Sequence, residues 1–258
     1  MYTLTVGAVF KNETHCLKEW LDHYLFHGVE HFYLINDQST DNYMEILTPY
    51  LEKGLVTLYQ SAHASYLGRQ RHLYNDFILP HFNRKETHWL LMCDLDEFLW
   101  SPKAIDLKVV LSEMDHMWQI QVLHTLFGSN GHDAEVPANT LVASYTRRSA
   151  TTPTETPGLL KYFVNSSYCT VESLNIHYAT APDHDKTKHF MILNNPYFVL
   201  NHYCCQSKEF WRSVKCTRGD ADNYRVRTMA DFDEYDQNVV EDLRLFEQNK
   251  GIIKRISV

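Results

Sequence analysis

The chain has no glycine-rich phosphate loop. Neither G-x-G-x-x-G nor G-x-x-x-x-G-K-[ST] occurs, and only 9 of its 258 residues are glycine. A bound pyrophosphate would therefore have to be neutralised by a cation and by side chains, not by a cradle of backbone N–H groups. Cysteine is also sparse in pattern. Cys16, Cys93, Cys169, Cys204, Cys205 and Cys216 contain no C-x-x-C pair, which argues against a zinc knuckle and against a disulfide framework. Reduced thiols in a cytoplasmic compartment are the expectation. No Lys/Arg run is present, and 24 basic against 32 acidic residues give a net charge of −8, so a nucleic-acid partner is not expected. No apolar run approaches the roughly eighteen residues of a membrane span. The opening MYTLTVGAVFKNE lacks the charged and apolar regions of a signal peptide.

Aromatic residues, by contrast, are plentiful at 13% of the chain, a supply that serves cores and also lines sugar and base pockets. The most informative stretch is Trp89 to Trp100, WLLMCDLDEFLW. Trp89 to Cys93 is a continuous apolar run, as expected of a strand buried on both faces. It ends in Asp94, Asp96 and Glu97, three carboxylates within four positions. Open α/β sheets bind ligands at the carboxyl ends of their strands, and like charges this close call for a cation. Oxygen ligands on a short turn suit a hard ion such as Mg²⁺ or Mn²⁺.

The rest of the chain supplies a frame for that turn. Thr3 to Phe10 reads as a first central strand, and Leu17, Trp20, Leu21, Tyr24 and Leu25 recur at helical spacing before Gly28. Val29 to Ile35 is a second strand, Asn42 to Leu51 a helix capped by Ser39 or Asp41, and Leu55 to Gln60 a third strand. Strand, helix, strand, helix, strand implies right-handed βαβ units and a parallel sheet. Gly68 to Phe82 reads as a helix leading back to the central strand. Lys11 to Glu13, Asp37 and Asp94/Asp96 then share one sheet edge, a groove with room for a nucleotide. Beyond Pro102, a helix is expected at Ile105 to Met117 and strands at Trp118 to Val122, Thr140 to Thr146 and Gly158 to Val164. Thr151 to Pro157 reads as a linker or lid, and an amphipathic helix is expected at about Ala230 to Asn249.

These pieces occur in a recognisable order: VFKNE, GVEHFYLINDQSTD, PYLEKGLVTL, Gln70 with Tyr74-Asn75-Asp76, WLLMCDLDEFL, FGSNGH, YTRR, Lys161, and LNHYCCQSKEFW followed by TRGDAD. The series resembles glycosyltransferase family 92, close to the family 2 glycosyltransferases, from Val9 to about Asp222. The resemblance implies a GT-A fold, an α/β architecture with a Rossmann-like, mixed but mostly parallel sheet flanked by helices. It also implies a single domain, with residues 1–102 as the nucleotide-sugar-binding half and 103–258 as the acceptor-side half. A nucleotide-sugar donor, a divalent metal and inversion at the anomeric carbon follow. UDP-galactose is the family's best-known donor. One departure is visible: the family usually shows Trp three residues before the Phe-Gly of the FGS loop, where this chain has His124.

The resemblance and the carboxylate turn together name the site residues. Asp94 and Asp96 are expected to hold Mn²⁺ or Mg²⁺, with His202 of LNHY as a third ligand and Asp94 alternatively holding the ribose hydroxyls. Phe10, Lys11, Asn12, Glu13, Asp37 and Leu95 are assigned to the UDP-sugar donor. Arg69, Gln70, Arg147, Arg148 and Lys161 are candidates for phosphate or sugar oxygens. Asp133 is the expected catalytic base, with Glu97, Asp220 and Asp222 as competitors, and Ser129 and His132 are expected to contact the acceptor. That acceptor is a saccharide or glycan, in the class of bacterial or viral surface glycans and lipid-linked saccharides. The C-terminal helix leaves room for peripheral membrane contact. Two rival readings are a haloacid-dehalogenase-like phosphatase using Asp94 as nucleophile, and a non-catalytic nucleotide-sugar-binding module.

Overall fold

A computed structural model describes residues 1–61, 68–150, 160–168, 170–182, 189–192, 196–218 and 225–256, with backbone alone for 189–192 and 253–256. The linker expected at Thr151 to Pro157, and Asp220 and Asp222, lie outside these residues. Strands β1 (Tyr2–Phe10), β2 (His31–Asn36), β3 (Val56–Gln60) and β4 (Thr87–Met92) are parallel neighbours in the order β3-β2-β1-β4. Between them run α1 (Leu17–Phe26) and α2 (Tyr43–Glu52). A third helical stretch comprises α3 (Arg69–Leu73), a π turn at Tyr74–Ile78 and α4 (Leu79–Asn83). The widened turn directly precedes Pro80, which has no N–H to close a regular i−4 bond.

The amphipathic spacing seen in the sequence explains α1. Leu17, Trp20, Leu21 and Tyr24 are fully buried against the sheet, each such side chain contributing about 1.5–3 kcal/mol of apolar burial. The helix ends before Gly28, whose φ of 93° reverses the chain. Gly7 of β1 leaves space for the helical stretch on the other face: a Cβ there would lie 2.9 Å from both Ile78 Cδ1 and Met92 Sδ.

The second half completes the same sheet. Strands β5 (Glu97–Trp100), β6 (Gln119–Leu126), β8 (Leu160–Asn165) and β12 (Val199–His202) extend it in the order β4-β8-β6-β12-β5, and β11 (His189–Ile192) pairs with β6. β8 runs antiparallel to β4 and β6, β12 runs parallel to β6, and β5 runs antiparallel to β12. Short pairs are formed by β7 (Arg147–Arg148) with β13 (Val240–Glu241) and by β9 (Ser173–Leu174) with β10 (Ala179–Thr180). The remaining helices are α5 (Leu107–Glu113), α6 (Leu141–Ser144), α7 (Lys208–Phe210) running into a π turn at Trp211–Lys215, α8 (Met229–Tyr235) and α9 (Arg244–Ile256). The mixed, mostly parallel sheet flanked by helices is the architecture the sequence implied.

Three local expectations are corrected. The strand expected at Thr140 to Thr146 is helix α6, because the Glu19 carboxylate from α1 accepts the N–H groups of Leu141 (2.7 Å) and Val142 (3.1 Å). The single helix expected at Ala230 to Asn249 is two. Asp236 and Asn238 leave the helical path to accept Ser129 N–H (2.6 Å) and Asn130 N–H (2.8 Å), and Val240–Glu241 pairs with Arg147–Arg148. Neither Ser39 nor Asp41 caps α2, whose N-cap is Asn42 without a side-chain bond. Their oxygens instead accept Asn12 N–H (2.9 Å) and Thr14 N–H (3.0 Å).

Candidate active site

Strand parity gathers the central residues. Lys161 pairs with Val122, Leu200 with His124, and His202 with Glu97. Paired residues share a face, and so do residues two apart along a strand. Lys161, His124, His202 and Glu97 therefore project from one face of the sheet, at the edge where β4 ends in Asp94.

Glu97 is the brace of the turn. It is 1% exposed, and its Oε2 accepts the Asp94 N–H at 2.8 Å. Helix α1 holds the same turn from behind, with Trp20 Nε1 donating to the carbonyls of Asp94 (2.9 Å) and Glu97 (3.1 Å), and the Tyr24 hydroxyl donating to Glu97 O (3.1 Å). Burial opposes the Glu97 charge, but Lys161 and His124 outweigh it and hold the carboxyl well below its ordinary range. So placed, Glu97 holds the backbone of the turn through Oε2.

The two aspartates have different partners. The Asp94 side chain is 33% exposed; its Oδ2 accepts from Lys161 Nζ at 2.6 Å and its Oδ1 from Gln70 Nε2 at 3.2 Å. Burial raises its carboxyl above the usual range, against the pull of Lys161. Asp96 faces Lys215 Nζ at 3.3 Å and His202 Nε2 at 3.5 Å. Burial opposes its charge as well, yet Lys215 and His202 hold it well below the usual range. His202 is lifted to about 9, since Cys204 and Asp96 overcome its burial. Its Nδ1 is buried without a partner. Lys161, 1% exposed, keeps its proton against burial because Asp94 and Glu97 flank it. Burial pushes His124 down to about 4, which makes it a neutral imidazole at pH 7.

The residues expected to meet the donor lie at the ends of β1 and β2. Asn12, at φ 54°, accepts Thr40 N–H (2.7 Å) through its side-chain oxygen, which joins the two loops. Asp37 and Arg69 form a buried bidentate pair with each other, and Arg69 also donates to Ser61 Oγ at 2.9 Å. Phe10 sits in the core edge-on to Tyr43, and Leu95 is buried in the same cluster, so what either offers the edge is backbone. Gln70 donates to the Tyr74 hydroxyl (2.6 Å) as well as to Asp94. Arg147 and Arg148 are directed elsewhere: Arg147 Nε donates to Asn238 O (3.0 Å) and Arg148 Nε to Asp242 (2.8 Å).

The loop after β6, expected to meet the acceptor, leaves the same edge, tied to β12 by Phe127 N–H on His202 O (3.0 Å). Ser129, 2% exposed, accepts Gly131 N–H (3.0 Å) through its hydroxyl and so braces the loop. His132 and Asp133 are exposed, with their carbonyls fixed by the N–H groups of Lys208 (3.0 Å) and Glu209 (2.9 Å). Two basic residues were not picked out in the sequence. Lys215 reaches Asp96, and Arg218 donates to Glu13 (2.6 Å) and to Lys11 O, so the segment after α7 spans from the β1 end to the carboxylate turn. The W-R-S-V-K-C-T-R spacing holds both cations, but only the π turn at Trp211–Lys215 aims them at this edge.

Comparison with known proteins places the chain in a family. Galactan beta-1,4-galactosyltransferase GALS2 of Arabidopsis thaliana is 25% identical over 132 residues, a match covering 48% of this chain and 25% of that protein. The chain thus spans about a quarter of the length of this relative. Among solved structures, S. aureus TarS 1-349 in complex with UDP-GlcNAc aligns over 98% of this chain and 72% of that one, at 14% identity and a TM-score of 0.47. Another structure of S. aureus TarS 1-349 aligns over 76% of this chain and 60% of that one, at 15% identity and a TM-score of 0.44. Residues 2–243, nearly the whole chain, match one family, and the protein belongs to glycosyltransferase family 92.

Proposed function

We propose that this chain is a metal-dependent, inverting hexosyltransferase that moves a sugar from a nucleoside-diphosphate donor to a saccharide or glycan acceptor. The donor favoured is a UDP-hexose, with UDP-galactose first, in keeping with the galactosyltransferase relative. The observation that carries the reading is the charge arrangement at the end of β4. Asp94, Asp96 and Glu97 meet Lys161, Lys215 and His202 there, beside the Asn12–Asp37 edge. Acids alone would repel a diphosphate; acids with a cation and two ammonium groups can hold one.

The residues present fit a divalent ion. Asp96 Oδ1 and His202 Nε2 are 3.5 Å apart, close to the roughly 3.0–3.5 Å between adjacent ligand atoms around an ion with bonds near 2.1 Å. Such an ion supplies charge neutralisation on the leaving diphosphate. In this reading Lys215 and Arg218 take phosphate oxygens, Asn12 and the loop it ties to β2 face the nucleoside, and Asp94, kept by Lys161 and Gln70, accepts from donor hydroxyls. Residues 1–102 carry most of the donor side and residues 103–258 the acceptor side. Asp133, exposed on the loop after β6, is the base assigned to the acceptor hydroxyl. Membership of a glycosyltransferase family sets the phosphatase alternative aside.

Calorimetry of UDP with and without Mn²⁺, and release of UDP from UDP-galactose, UDP-glucose and UDP-GlcNAc, test the reading. Asp96→Asn should lose Mn²⁺-dependent UDP affinity while still unfolding cooperatively. Undiminished metal-dependent affinity in that variant overturns it. UDP binding in the wild type without turnover of any sugar donor would favour the non-catalytic binding module.

A further inference from the structure

Glu97, His124 and His202 hold one ligand atom each within 4.8 Å of one another. His124 Nε2 is 2.8 Å from Glu97 Oε1, and His202 Nε2 is 4.0 Å from the same oxygen. The two imidazole rings are 4.4 Å apart between centroids and tilted by 57°, so they converge on the carboxylate without stacking. His124 is 2% exposed, and neither of its nitrogens meets a partner at hydrogen-bond geometry. A buried ring nitrogen without a partner is costly; Nδ1 of His124 has none, and its Nε2 faces only the Glu97 carboxylate. The strands themselves direct it at Glu97: Leu200, two residues before His202, pairs with His124, and His202 pairs with Glu97.

We propose that His124 is a metal ligand, and that the ion of this site is a first-row transition ion, of the Mn²⁺, Co²⁺ or Zn²⁺ class and not Mg²⁺, bound by His124, His202 and Glu97 with Asp96 alongside. This inference rests on the metal-dependent reading above and extends it, by adding a second nitrogen and by fixing the class of ion. Magnesium favours an all-oxygen shell with retained water, whereas paired imidazoles with carboxylate suit the softer divalent ions. The 3.5 Å between His202 and Asp96 lets Asp96 occupy a ligand position next to His202. Glu97 keeps one oxygen, Oε2, for the Asp94 N–H and presents the other, Oε1, to both histidines. One carboxylate thereby sets the turn and the ligand set together, as a braced metal ligand should.

The test uses the full chain with Mn²⁺, Co²⁺ or Mg²⁺ alone, without donor. Pulsed electron paramagnetic resonance of the Mn²⁺ form should show coupling to two imidazole nitrogens in the wild type and to one in His124→Gln. By calorimetry, His124→Gln should bind Co²⁺ at least about tenfold more weakly, while the weaker Mg²⁺ affinity changes less than about threefold. His124→Phe, apolar and ring-sized, should repeat the loss if the glutamine variant folds poorly. A single nitrogen coupling in the wild type, or unchanged Co²⁺ affinity and spectrum in both variants, overturns the assignment. Should Mn²⁺-dependent UDP binding survive that result, the transferase reading stands without His124. Its absence from the wild type would remove both.

Discussion

Replacing Lys161 by methionine removes the one ammonium that separates two of the site's carboxylates. Lys161 Nζ is 2.6 Å from Asp94 Oδ2 and 3.7 Å from Glu97 Oε2. At an effective dielectric near 20 these contacts are worth ~6 and ~4.5 kcal/mol of attraction before any cost of desolvation. Burying the ammonium takes back several kcal/mol of this, and removing one partner of such a buried group typically destabilises by about 3–5 kcal/mol. In a chain of this length that corresponds to a fall of about 10 °C in the unfolding midpoint. Urea unfolding of Lys161→Met, Glu97→Gln and the double variant measures it. The double variant should cost about 2 kcal/mol less than the sum of the singles, because the orphaned carboxylate has then been neutralised. The pH dependence has a definite sign. Wild-type Glu97 is depressed, so its contribution is present above the ordinary glutamate range and fades as pH falls toward its folded value. In Lys161→Met that contribution is largely gone, so the gap between variant and wild type should narrow below about pH 4.3. A Lys161→Met protein within about 1 kcal/mol of wild type at pH 7 would refute the reasoning.

Two further outcomes follow from other ion pairs of the fold. Arg69→Met, which leaves buried Asp37 unpaired, should lower unfolding free energy by about 3–5 kcal/mol; a stability change under about 1 kcal/mol, accompanied by lost UDP affinity, would show that Arg69 contacts the donor instead. Burial opposes the charge of Asp242, but Arg244 and Arg148 hold it at about 2, so its contribution is full above the unfolded carboxylate range and is lost as pH falls through about 2. Discounted for the exposed Arg244, this amounts to roughly 1 kcal/mol, and Asp242→Asn should flatten the acid limb of the stability–pH profile by that amount. An unchanged acid limb in that variant would assign the pair no net value.

The parts of the molecule legible in the sequence are those fixed by short-range pattern. The β3-β2-β1-β4 half follows from apolar runs with turn residues between them, and each strand end lies within two residues of its expected place. Asp94, Asp96, Lys161 and His202 do converge, although Lys161 arrives by an antiparallel strand that no local signal orients. Lys215, Arg218 and His124 were not assigned roles because their partners lie 119, 205 and 27 residues away in the chain, on other elements.

By itself, then, the sequence determined the parallel half-sheet, the acidic turn that ends its central strand and the order of motifs that marks the family. Those are consequences of hydrophobic periodicity and of charge placed at strand ends, which act over a few residues. Tertiary structure alone decided that Glu97 turns inward as a brace, that Asp37 and Arg69 neutralise each other, that residues 141–144 coil instead of extending, and that His124 meets His202 across a strand boundary. In the first three cases the deciding term is the need to satisfy a buried polar group, with the available partner set by strand register and helix packing between distant segments; in the fourth it is strand register alone.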